Sequence, residues 1–97
     1  MIKLFKIKGH SLYPLHKQGQ IVCAFSCKFL TLKENDIVVF NQDDYGLMIK
    51  KIKYIKKEKN KLPKYYMIGT NPDSIDSRNY GLIEENKISY KVLFTIL

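Results

Sequence analysis

The chain has 97 residues, 45% of them hydrophobic and 27% charged, which suits a single domain over residues 1–97 and excludes a disordered chain. No apolar run approaches the roughly 18 residues that span a bilayer, and the lysine-interrupted N-terminus does not read as a secretory signal. The net charge is +8, yet Arg78 is the only arginine, which argues against a nucleic-acid reader built on bidentate contacts and fits a solvated basic surface or a patch for anionic lipid or an acidic partner.

The first element is an alternating run, Lys3-Leu4-Phe5-Lys6-Ile7-Lys8, with the period of a half-buried strand. It leads into Gly9-His10-Ser11-Leu12-Tyr13-Pro14. Gly9 permits a sharp turn, and Pro14 fixes its own φ while pushing Tyr13 into an extended conformation. Ser11 is thus expected on a rigid elbow at the end of a strand. Residues 16–20 read as a turn, followed by a strand at Ile21–Phe25. Phe29, Leu30 and Leu32 suit one short turn of helix, and residues 33–36 a further turn. Ile37–Phe40 is a β-branched strand, and the polar stretch from Asn41 to Gly46 reads as a hairpin loop. A long strand is expected from Leu47 to about Lys57, and Tyr65–Ile68 is its returning partner. Residues 58–61 form the exposed tip between them, because eight lysines and one acid between Lys50 and Lys64 would be repelled from a core. Gly69 then leads into an Asn71-Pro72 turn and a polar stretch through Gly81. Lys87–Leu97 begins as an alternation and ends mostly apolar, as a central closing strand would. Many short strands separated by turn signals predict an all-β fold, a coiled and partly closed antiparallel sheet.

A serine hydroxyl is a poor nucleophile near neutral pH and needs a base within hydrogen-bond reach. Lysine can serve when burial disfavours its charged form. Strand parity places Lys50 on one face with Met48, Ile52 and Tyr54, and Lys51 on the other with Ile49 and Lys53. Lys50 is therefore the lysine expected to be dry. His10 lacks a nearby acid and, next to Ser11 on an extended segment, points to the opposite side. His16 lies in a polar turn, so both histidines read as surface residues. Cys23 and Cys27 on one strand would be roughly 13 Å apart, too far for a disulfide, and the two cysteines and two histidines match no usual zinc spacing. Two reduced thiols, no metal and no cofactor are expected.

Three segments in order, Gly9–Pro14, Met48-Ile49-Lys50-Lys51-Ile52 and Gly69–Gly81, resemble the boxes of the signal peptidase I family of serine endopeptidases. The resemblance runs from about Lys8 to the C-terminus. It implies a mostly antiparallel β catalytic core, with Ser11 as nucleophile, its backbone N–H as an oxyanion donor and Lys50 as general base. It also implies that Ser74 orients the lysine, and that Asp76 and Arg78 pair to fix the loop; only Ser77 separates them, so on an extended segment they share a side. The sequence departs from the family pattern at Gly9, which replaces a hydroxyl donor, at Leu12 for methionine, and at Gln20 and Thr70 for aspartates. Pro72 stands in place of an arginine, and the stretch from Asn71 to Ser74 is one residue short. The chain reads as a compact, anchor-less core similar to the nickel-type superoxide dismutase maturation proteases, cytoplasmic or peripheral at a membrane. Its partner would be a protein or peptide substrate bound as an extended strand, with small side chains before the cut. Docking on a membrane surface or a partner through basic and apolar side chains is a further expectation. Two other readings stand beside this one: a LexA-like self-cleaving domain, and a catalytically inactive binding module on the same fold.

Overall fold

The computed structural model describes residues 2–7, 19–26, 31–70 and 75–96. Strand accounts for 57% of these residues and helix for 9%, so the chain is mainly β, as its turn-punctuated pattern predicts. The strands are β1 (Ile2–Lys6), β2 (Ile21–Ser26), β3 (Ile37–Gln42), β4 (Gly46–Lys56), β5 (Lys64–Ile68), β6 (Ile83–Glu84) and β7 (Ile88–Thr95). They form one antiparallel sheet in the order β1-β2-β7-β3-β4-β5-β6, which does not close into a barrel. A short helix, α1 (Ser77–Tyr80), and a 3-10 turn, Glu85–Lys87, flank β6.

The last strand lies between β2 and β3, the central place its composition predicts. Its second half is nevertheless exposed at Leu93 and Phe94, as is Ile96 just beyond it. The β3–β7 ladder ends at the pair Val38–Lys91, and the β2–β7 ladder shifts register between Val92 and Phe94. Among the described residues, β7 past Lys91 is paired with β2 alone.

One face of β3, β4, β5 and β7 carries the core. Val38, Phe40, Ile52, Tyr65, Met67, Ile83 and Ile88 are buried together, with Leu32, Met48, Ile55 and Tyr80 packed against them. Leu32 contributes to this core but is not helical, and the other two residues of the expected helical turn, Phe29 and Leu30, lie outside the described residues. The β3–β4 hairpin is set by Gln42, whose Oε1 accepts the N–H groups of Asp44 and Tyr45, with Gly46 at φ +78 completing the turn. Asn35, also at positive φ, donates its N–H to the Ile52 carbonyl, and Ile52 donates in return to Asp36. These two bonds tie the turn before β3 to the middle of β4.

Parity along β4 holds up to Ile52 and then reverses. Met48, Lys50 and Ile52 face inward, but the β4–β5 register shifts between Ile52 and Tyr54. The extra residue flips every later side chain. Tyr54, expected on the Lys50 face, is exposed instead, and Ile55 turns inward to the core.

Candidate active site

Lys50 is the one buried lysine among the described residues, 3% exposed. It sits in the middle of β4, directly across from Val38 on β3, which is fully buried. On its other side the β4–β5 ladder pairs Lys51 with Ile68, which puts Lys50 one step on, beside Gly69. Buried neighbours at both flanks and along its own face leave the ammonium poorly hydrated. That desolvation pulls the Lys50 amine below its ordinary 10.5; the Asp76 carboxylate nearby opposes the fall and the Arg78 guanidinium adds to it.

The Asp76 carboxylate is fully buried and accepts from at least four donors among the described residues. Oδ2 accepts the Gly69 N–H at 2.9 Å and Arg78 Nη2 at 2.8 Å. Oδ1 accepts the Arg78 N–H at 3.0 Å and Arg78 Nε at 2.9 Å. The guanidinium thus grips the carboxylate with two parallel bonds, the geometry that suits arginine and not lysine. Asp76 is also the N-cap of α1, and its own N–H donates to Asn79 Oδ1 at 3.1 Å, completing a capping box. The expected Asp76–Arg78 pair is present, but the segment is not extended at both residues. Asp76 has extended φ and ψ while Arg78 lies within the helix, and the N-cap bend brings the two heads together.

Ser77, which the sequence reading treats only as a spacer, is buried and structural. Its Oγ accepts the Met67 N–H at 2.8 Å. Met67 and Gly69 therefore donate along one edge of β5 to the side chains of Ser77 and Asp76, where β6 no longer pairs with the strand. Two side chains continue the ladder that a backbone would otherwise supply, and in doing so they hold α1 against β5. The Asp76-x-x-Asn79 spacing was the available signal for this helix start.

Tyr80 closes the far side of α1. Its ring packs near Phe40 and Tyr45, at centroid separations of 6.4 and 6.0 Å. The hydroxyl is buried and has no hydrogen-bond partner among the described residues, and burial, with the Asp76 and Tyr45 charges adding to it, raises its pKa above the ordinary 10.

No protein-family model matches the chain, and no curated protein matches it significantly. The structure brings Lys50, Asp76 and Arg78 into one electrostatic neighbourhood between β4, β5 and α1. Ser11, its backbone N–H and Ser74 lie outside the described residues, as do Gly9, Leu12, Pro72, His10, His16 and Cys27. Cys23 is a buried free thiol. Among the described residues no group of three or more His, Cys, Asp or Glu side chains is placed to hold a metal.

Proposed function

We propose that the chain is a serine endopeptidase that uses Ser11 and Lys50 as a catalytic pair, acting on a leader or signal-type segment of a protein substrate. The observation that carries this reading is Lys50, an amine on the core face of the sheet whose charged form is penalised by burial. A lysine in the middle of a strand is ordinarily exposed, and burying one without use would cost stability. A neutral amine is what a serine hydroxyl needs as a base. The three boxes in family order supply the nucleophile.

In this mechanism the Ser11 Oγ attacks the scissile carbonyl and its proton passes to Lys50 Nζ. The tetrahedral intermediate, held by the Ser11 N–H, collapses as the C–N bond breaks and Lys50 returns the proton to the leaving amine. Water then attacks the acyl-enzyme with Lys50 again taking the proton, and Lys50 returns that proton to Ser11 Oγ as the ester bond breaks and the carboxylate product leaves. Asp76 and Arg78 act as positioning residues, with opposed effects on how readily Lys50 sheds its charge. β1 is an edge strand paired only with β2 among the described residues, and the chain runs from it toward Ser11. An extended substrate adding to that edge would be delivered to the nucleophile by main-chain bonds.

The test is acylation by a serine-reactive β-lactam, followed by intact mass and peptide mapping. Labelling is expected at Ser11, absent in Ser11→Ala and slowed roughly a hundred- to ten-thousandfold in Lys50→Met, the range a positioned base supplies. Labelling that proceeds equally fast in Lys50→Met, or that maps elsewhere, refutes the pair.

A further inference from the structure

A second feature lies away from Lys50 and is independent of its chemistry. β3 pairs with β4 only as far as Lys51, whereas β4 continues to Lys56, so the β4–β5 hairpin runs past the end of its neighbour. From Lys51 to Lys64 this ribbon carries seven lysines against one glutamate, so it holds six of the chain's net eight positive charges. Lys53, Lys56, Lys57, Lys59, Lys61 and Lys64 are all exposed. Lys56 stands directly across from Lys64, a like-charge pairing that costs stability, and Glu58 is shared between Lys56 at 3.5 Å and Lys61 at 3.4 Å.

The ribbon is not only basic. Leu62, beside the turn, is 70% exposed. On the outer face Tyr54 and Tyr66 stack at 4.8 Å with 14° between their planes, and the Lys53 amine lies 6.0 Å from the Tyr66 ring. We infer that this hairpin docks on an anionic lipid surface, with the lysines among the headgroups, Leu62 reaching the acyl boundary and the tyrosine pair at the interface. Lysine is a compact point charge suited to a diffuse anionic field, and Tyr is at home where one end is apolar and the other wet. A nucleic acid fits less well. The ribbon carries no arginine, the two rings already occupy each other's faces, and a polyanion offers Leu62 nothing to enter.

Flotation of the full chain with vesicles tests this. Binding is expected to equimolar phosphatidylcholine and phosphatidylserine, weakened by salt, with little binding to phosphatidylcholine alone. Each lysine removed weakens partitioning about fivefold, so the combined Lys56→Gln, Lys57→Gln, Lys59→Gln and Lys61→Gln variant loses several hundredfold. Leu62→Ser loses about tenfold at low and high salt alike. These side chains are exposed, and circular dichroism verifies that the variants fold. Equal binding to both vesicle types, binding that survives the lysine changes, an unchanged Leu62→Ser variant, or tighter binding to a single-stranded oligonucleotide each overturns the assignment.

Discussion

Replacing Asp76 with asparagine keeps the volume of the side chain and removes its charge. Among the described residues the carboxylate accepts at least two hydrogen bonds on each oxygen, from Gly69 N and Arg78 Nη2 on one and from Arg78 N and Nε on the other. A carboxamide offers one oxygen, so its NH2 group must face two donors whichever way it is turned. Turned toward Gly69, it leaves a buried backbone N–H without an acceptor, at about 1–3 kcal/mol. Turned the other way, it forfeits the N-cap bond of α1, at about 1 kcal/mol, and still buries an amide donor with no acceptor. The first orientation costs about 1–3 kcal/mol and the second about 2–4 kcal/mol, a large share of the stability of a small domain. For a chain of this length that corresponds to a fall in melting temperature of roughly 5–20 °C. Thermal and urea unfolding followed by circular dichroism reads it directly. The same change removes the charge that holds the Lys50 pKa up, so the Lys50 amine should titrate at lower pH in the variant than in the wild type. A variant melting within about 2 °C of wild type would refute the four-donor account of Asp76.

Three more outcomes follow from the same packing. Because the folded pKa of Lys50 lies below 10.5, the unfolded chain binds more protons in the window that ends there, and wild-type stability gains a rising component with pH across it. Lys50→Met should lose that component, measured as unfolding free energy over a pH series; an unchanged slope contradicts the burial of the amine. Tyr80→Phe removes a buried hydroxyl that has no partner among the described residues and should stabilise by about 1 kcal/mol in urea unfolding. The variant should also escape the stability loss that wild type suffers as pH rises through 10, where the unfolded tyrosine ionises first. Phe40→Ala, at a fully buried position in the centre of the core, should cost about 3–5 kcal/mol by the same assay.

Period and punctuation made most strands legible, along with the two hairpins on either side of β4. Lys50 could be picked from its neighbours because strand parity survives as far as Ile52, and burial follows parity. Tyr54 could not, because a bulge depends on the partner strand and leaves no mark in the local pattern. The helix at Ser77–Tyr80 is too short for a hydrophobic period to register, although its capping box was written in Asp76 and Asn79. Ser77 looked like a spacer because its use, accepting the Met67 N–H, depends on a strand ten residues away. The exposure of Phe94 and Ile96 likewise reflects where β3 begins, a fact of pairing between distant segments.

The burial of Lys50, which disfavours the charged form of its amine, is the physical basis of the proposed chemistry. Isotopic labelling of lysine and an NMR titration of its side-chain carbon beside the amine, assigned with the Lys50→Met variant, measures this in the intact chain. The midpoint is expected below 10.5, lower again in Asp76→Asn and higher when Arg78 is replaced by glutamine. A midpoint at or above 10.5, unmoved by either substitution, would contradict the buried base.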